Sequence, residues 1–246
     1  MTPDEVIQRV TIEGNIVKLP AVKLDRDVYT KVAKKLNDIG GKWTGGKVQG
    51  FVFKSDPTAL LGRVKQNEKI NIKKEFQFFE TPDTIADRLV KMIGVKKSHK
   101  VLEPSCGRGS IIKAIHRVDP EVIVDCFELM PENYAHVASM EGFINLISDD
   151  FMTYPEGEVW DRIIANPPFS KNQDIAHIRK MYNSLKSGGK MVSISSKHWI
   201  ISSGKKEKEF EKWLKEVKAI VKEIPPGEFK ESGTMVETLI IMITKK

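Results

Sequence analysis

Val101-Leu102-Glu103-Pro104-Ser105-Cys106-Gly107-Arg108-Gly109 reads as a short apolar strand, a turn of small residues, and the start of a helix. Small residues and glycines there let backbone approach a ligand closely at the carboxyl end of a sheet. The Gly-x-Gly lacks a third glycine, so the stretch draws its meaning from its downstream context. Strand and helix signals alternate from there to the end of the chain. Helix signals cover roughly residues 82–93, 109–118, 131–140, 172–186 and 205–218. Strand signals cover roughly 100–103, 122–127, 143–147, 161–165, 189–195, 219–224 and 236–244. This alternation predicts an α/β fold, a Rossmann-like parallel sheet covered by helices. No helix separates the last two of the seven strands, so they are expected to pair antiparallel.

Upstream, residues 1–75 form a small α+β module and residues 76–246 the main domain. Val10–Leu19 reads as a strand with a turn at Gly14-Asn15. Asp25 reads as the N-cap of a helix through Leu36, ended by Gly40-Gly41. Lys42–Thr44 and Gln49–Lys54 flank Gly45-Gly46, a hairpin signal. Asp56-Pro57 opens another short helix, and a lysine-rich link covers Lys65–Lys74.

The chain has 246 residues, 40% hydrophobic and 30% charged, with a formal net charge of +7. Residues 1–75 hold 15 Lys/Arg against 9 Asp/Glu, a net +6; residues 76–246 hold 25 against 24. The basic excess lies in the first module, as expected for a polyanionic partner or for a lysine-rich solvated surface. No apolar run reaches the length of a membrane span, and the N-terminus has no signal-peptide pattern. Cys106 and Cys126 lie in apolar contexts, which fits a reduced cytoplasmic interior. No Cys/His cluster has metal-ligand spacing. His99, His116, His136, His177 and His198 are scattered and read as surface residues.

Three further stretches carry chemistry. Glu128 ends the second strand of the main domain, 19 residues after Gly109. A carboxylate at that spacing can accept from both ribose hydroxyls of an adenosine cofactor. Asp149-Asp150-Phe151 follows the third strand, where an acid could accept from an adenine amino group beside Phe151. Asn166-Pro167-Pro168-Phe169 ends the apolar run Ile163-Ile164-Ala165. Proline has no N–H, so the strand stops there. The Asn side-chain oxygen and a proline carbonyl can then both accept from one NH2 group. Phe169 adds a flat face for a ring. Upstream, Gln77-Phe78-Phe79-Glu80-Thr81-Pro82 opens a helix, with Thr81 as N-cap and Pro82 at the first helical position.

Together these stretches resemble the S-adenosylmethionine-dependent adenine-N6 DNA methyltransferases, over roughly residues 76–244. The ordered match runs Phe79-Glu80-Thr81-Pro82, Leu102–Gly107, Glu128, Asp150-Phe151 and Asn166–Phe169. Gly227-Glu228-Phe229-Lys230-Glu231-Ser232-Gly233 is similar to the family's loop that sets an aromatic residue against the target base. The resemblance implies a seven-stranded Rossmann-like sheet. It places Thr81 and backbone around Glu103, Pro104, Ser105, Cys106 and Gly107 at the cofactor's methionine moiety, Glu128 at the ribose, and Asp150 with Phe151 at the adenine. It gives Asn166, Pro167, Pro168 and Phe169 the catalytic role, Phe169 and Phe229 the stacking on an extruded base, and Asn166 a place beside the cofactor. No metal is implied. The chain ends at Lys246, right after the last strand, so target selection is expected to fall to the basic module, to loops such as 197–206, or to a specificity partner.

Such compact members resemble methyltransferases of phages, mobile elements and restriction-modification systems, which implies a bacterial cell or phage-infected host. RNA adenine, cytosine-N4 of DNA, a protein glutamine amide, and a catalytically silent nucleic-acid-binding module are the alternatives.

Overall fold

The computed structural model describes residues 1–53, 56–68, 70, 79–230 and 237–246. It divides into two compact units, Met1–Gln77 and Phe78–Lys246.

The first unit opens with α1 (Pro3–Gln8), a helix absent from the expected elements of this module. Its start is a reciprocal cap: the Thr2 hydroxyl accepts from the Glu5 backbone N–H, and the Glu5 carboxylate accepts from that of Thr2. β1 (Thr11–Glu13) and β2 (Ile16–Lys18) pair antiparallel around Gly14, whose φ of +61° suits glycine. α2 (Arg26–Asp38) follows Asp25, but the Asp25 carboxylate makes no capping bond; its carbonyl accepts from Tyr29 N–H instead. β3 (Lys42–Thr44) and β4 (Gly50–Val52) form the second hairpin, and α3 (Thr58–Lys65) completes the unit. The sheet order is β1-β2-β4-β3. Phe51 and Phe53 join Val6, Ile7, Val32 and Leu36 in the core, whereas Trp43 at the sheet edge stays 47% exposed. Half of the expected lysine-rich link, residues 69 and 71–74, lies outside the described residues.

The second unit holds a seven-stranded sheet in the order β10-β11-β9-β8-β5-β6-β7. The strands are β5 (Val101–Glu103), β6 (Val124–Phe127), β7 (Ile144–Ser148), β8 (Trp160–Ala165), β9 (Leu185–Ser196), β10 (Ile220–Ile224) and β11 (Thr238–Thr244). β5, β6, β7, β8 and β9 run parallel, while β11 lies between β9 and β10, antiparallel to both. The helices are α4 (Asp83–Ile93), α5 (Ser110–Val118), α6 (Pro131–Ala138), α7 (Gln173–Ser184), α8 (His198–Ile201) and α9 (Lys205–Glu216). Every residue of β5 and β6 is buried, as expected for parallel strands covered on both faces. The period-2 alternation divides the core. Ile164 and Ile240 pack with α4 and α5 on one face. Ile163, Ala165, Leu239 and Ile241 pack with Phe127, Phe151, Trp160 and Phe210 on the other.

A buried carboxylate ties three strands together. Asp125 on β6 is 5% exposed and accepts from the Trp160 indole at 2.8 Å and from Asn145 Nδ2 at 2.9 Å. Asp125→Ala strands the indole N–H inside the core. The expected loss is about 3 kcal/mol of stability, read as a lower urea midpoint.

The parallel order reverses beside β5, whose neighbours are β6 and β8. A crevice at the carboxyl ends of the strands is expected at such a switch point. The loops after β5, β6 and β8 therefore converge there.

Candidate active site

β8 delivers Asn166 to the carboxyl end of the sheet, half-buried and directly past the last strand residue. Its Nδ2 donates to the Phe79 carbonyl at 3.2 Å and to Thr81 Oγ1 at 3.1 Å. With both amide hydrogens engaged, Oδ1 remains as an acceptor. Pro167 is buried, and Phe169 is half-buried against the cluster that holds Phe229. This arrangement corrects the reading of Thr81 as a helix cap. Pro82 is extended at ψ 143°, α4 begins one residue later at Asp83, and no side chain caps it. The Thr81 hydroxyl, 8% exposed, serves Asn166 instead. Gln77 and Phe78 lie outside the described residues.

After β5 the chain turns through Pro104–Gly109. Cys106 N–H donates to the Phe127 carbonyl, and Gly109 N–H to the Cys106 carbonyl, so the loop is folded onto β6. Gly107 and Gly109 have φ of 57° and 76°, where a side chain is strained. A Cβ on Gly109 would also meet the Met140 sulfur at 2.8 Å. Glu103 is 2% exposed and its Oε2 has no partner among the described residues; the Ser105 hydroxyl is likewise buried and unpartnered. Burial, then the neighbouring Cys126 and Glu128, push the Glu103 carboxyl well above the ordinary range. Orphaned buried acceptors beside a glycine cradle suit a ligand carrying an ammonium and other donors.

Glu128 follows β6 directly. Its Oε2 accepts from Gly107 N–H at 2.7 Å and its Oε1 from Met130 N–H at 2.8 Å. Burial raises its pKa, partly offset by these N–H donors and by Asn133. Each oxygen keeps a second lone pair for a hydroxyl donor. Leu129, the next residue, is 56% exposed. Sequence reading passed over this apolar side chain; its exposure beside the acid is what draws notice to it.

Asp150 accepts from Met152 N–H at 2.8 Å and caps the single 3-10 turn Phe151–Thr153. Asp149 accepts from Ser148 and from Asp150 N–H. Phe151 is 1% exposed and packs among Phe127, Trp160 and His177. It supports the Asp150 turn from within the core and presents no open face. Lys180, from α7, holds the same turn by donating to the Met152 carbonyl at 2.8 Å and the Tyr154 carbonyl at 2.5 Å.

Phe229 is 4% exposed and packs in the core with Ile85, Ile224 and Ile240. Stacking on a base would require it to swing out of that packing. Glu231, Ser232 and Gly233 of its loop lie outside the described residues. His177 corrects the surface reading of the histidines: it is 7% exposed, and burial lowers its pKa to about 4. Cys106 and Cys126 are free and buried. The Cys126 contact, then burial, holds the Cys106 thiol far above its usual range, so it is no thiolate nucleophile. Among the described residues no acid, His or Cys cluster could hold a metal ion, and no helix is long and apolar enough to cross a membrane.

The methyltransferase small domain family matches residues 78–223, more than half of the chain. The chain belongs to this family. Its cofactor is S-adenosylmethionine, and the glycine cradle, the orphaned Glu103 and Ser105 oxygens and the Glu128 carboxylate fit that molecule's ammonium and ribose donors. Among curated proteins, the type II methyltransferase M.CvrRI of Paramecium bursaria Chlorella virus XZ-6E is 33% identical over 91 residues, 37% of this chain and 24% of the relative. The type II methyltransferase M.AccI of Acinetobacter calcoaceticus is 33% identical over 106 residues, 42% of this chain and 20% of the relative. The aligned part of this chain thus spans a quarter or less of these relatives. The fold is similar to that of the type I restriction-modification methyltransferase subunit from Streptococcus thermophilus. The TM-score is 0.59 at 18% identity, over 89% of this chain and 53% of that one.

Proposed function

We propose that the chain transfers a methyl group from S-adenosylmethionine to the exocyclic N6 amine of adenine in DNA. The observation that carries this reading is the fixed amide of Asn166, whose hydrogens are taken by Phe79 and Thr81 and whose Oδ1 is left to accept. The cofactor supplies an electrophilic methyl on a sulfonium. An adenine amine is a poor nucleophile because its lone pair is delocalised into the ring. Asn166 Oδ1 and the Pro167 carbonyl accept its two hydrogens, which favours a pyramidal nitrogen and aims the lone pair. The acceptors work by position and preformed dipoles, with no general base before transfer. Phe169 stacks on the extruded ring, since the amine is out of reach inside a duplex. Glu103, Ser105 and Gly107 hold the cofactor's methionine end, Glu128 its ribose, and Asp150 with Leu129 its adenine. The likeness to restriction-modification methyltransferases supports DNA as the substrate class.

Methyl-labelled cofactor offered with DNA, RNA and protein, followed by nucleoside analysis, tests the reading. N6-methyladenine in DNA is expected. N4-methylcytosine, or label only in RNA or protein, would overturn the stated substrate while leaving the amine chemistry intact.

We also propose that residues 1–75 dock DNA through their net +6 charge. Removing residues 1–70 should leave cofactor binding in place, since every assigned cofactor residue lies at Thr81 or beyond. It should weaken DNA binding and flatten the dependence of affinity on salt. Equal slopes for the full and truncated chains would give the module a structural role.

A further inference from the structure

From the end of β9 into the first turn of α9 the chain reads Lys197-His198-Trp199-Ile200-Ile201-Ser202-Ser203-Gly204-Lys205-Lys206, with three lysines, a histidine and no carboxylate. β9 runs parallel to β8, with Ser193 opposite Ala165. The segment therefore leaves the sheet at the end that carries Asn166. Its short helix α8 has one anchored side. Trp199 is 4% exposed, lies edge-on to Phe210 at 5.4 Å, and donates its indole N–H to Ser195 Oγ at 3.0 Å. The remaining apolar side chains stay open: Ile201 is 81% exposed and Ile200 47%. Such exposure contributes little to folding, and the Trp199 anchor holds the pair outward.

The segment is also fastened to the catalytic loop. After Phe169, Lys171 and Asn172 both hold left-handed φ, 54° and 61°. Two consecutive non-glycine residues in that region are strained and need support. Asn172 Nδ2 donates to Glu207 Oε1 at 2.8 Å, and His198 Nε2 lies 3.5 Å from the same oxygen. Close by in the chain, Asp174 Oδ2 accepts from Ser195 Oγ, Ser196 N–H and Ser196 Oγ, each at 3.0 Å.

We propose that Ile200 and Ile201 form an apolar wedge that enters the base stack of duplex DNA beside the target, with Lys205 and Lys206 on the flanking phosphates. The proposal rests on the reading of DNA as substrate. Extruding a base leaves a gap in the stack, and an aliphatic side chain can fill or open such a step. Lys197 is already paired with Glu223 at 3.3 Å and Glu237 at 3.1 Å, so the phosphate contacts fall to Lys205, 89% exposed and 3.9 Å from Glu209, and to Lys206. Glu207, the first acid beyond it, is buried and turned to Asn172. Binding at the wedge thus bears on the turn that carries Phe169.

The test uses the full chain carrying Ile200→Ser and Ile201→Ser together. Substrates are a duplex with a paired target adenine, the same duplex with that adenine mismatched, and the single strand. Cofactor affinity, measured by calorimetry, should match wild type and reports an intact fold. Activity on the paired duplex should fall at least tenfold, with less than twofold loss on the other two. Ile201→Leu should keep wild-type activity on all three. Unchanged activity on the paired duplex, or equal losses on all three, would overturn the wedge. Lys205→Gln with Lys206→Gln should lower the salt slope of DNA binding by about two; an unchanged slope would overturn the phosphate contacts. Wild-type protein that methylates no DNA, paired or mismatched, overturns the substrate reading and the wedge with it, which sets that failure apart from failure of the wedge alone.

Discussion

Asn166→Ala is expected to lower the rate of methyl transfer about 10³-fold, the scale set by removing one preorganised hydrogen-bonding group from a transition state. The alanine removes the acceptor Oδ1 at the end of β8. It also releases the Phe79 carbonyl and the Thr81 hydroxyl that hold the amide. The fold should persist, because Asn166 is half-buried and lies past the last strand residue. Cofactor affinity should stay within a few-fold of wild type, since the assigned cofactor contacts come chiefly from the loops after β5, β6 and β7. Calorimetry beside a transfer assay separates the two effects. Near-wild-type turnover in this variant would refute the proposed handling of the amine.

Glu128→Ala should do the reverse, weakening cofactor binding by about 1–3 kcal/mol through loss of charged hydrogen bonds. The carboxylate also braces the loop it faces, through Gly107 N–H and Met130 N–H, so the loss should sit at the upper end of that range. A pH signature accompanies it. Burial raises the Glu128 pKa, so the free protein keeps this proton to higher pH than the unfolded chain. For folding alone, that contribution is complete below the unfolded value of 4.5 and is lost as pH rises through the folded value. In the proposed contact the ribose hydroxyls donate to the ionised acid, so binding is expected to have the opposite dependence. Affinity should rise with pH through the elevated pKa, and protons should be released on binding. Calorimetry in buffers of differing ionisation enthalpy counts those protons. Glu128→Gln should flatten the profile, while its NH2 opposes one of the two N–H donors and weakens binding at every pH; an unaltered profile would remove Glu128 from the cofactor site.

Seven strands, the parallel α/β character of residues 78–246 and the antiparallel end pair were all legible in the order of residues. The reason is local. Strands buried on both faces appear as unbroken apolar runs, and glycines, prolines and acids mark their ends. The spacing of Gly107, Gly109 and Glu128, and the Pro-Pro stop after Asn166, are likewise written in consecutive residues. The capping box Thr2-x-x-Glu5 is equally local and marks α1. The strand order, with β11 inserted between β9 and β10, came from tertiary packing, because pairing partners far apart in the chain leave no local trace. Packing also turned the Thr81 hydroxyl from a helix cap into the support of Asn166, 85 residues away. Phe151, His177 and Phe229 drew their surroundings from the same source: an aromatic or imidazole ring reads alike on a surface or in a core, and only packing by distant elements buries it. Ile200 and Ile201 show the converse, an apolar pair that hydrophobic pattern would assign to a core and that the anchoring of Trp199 leaves in the open.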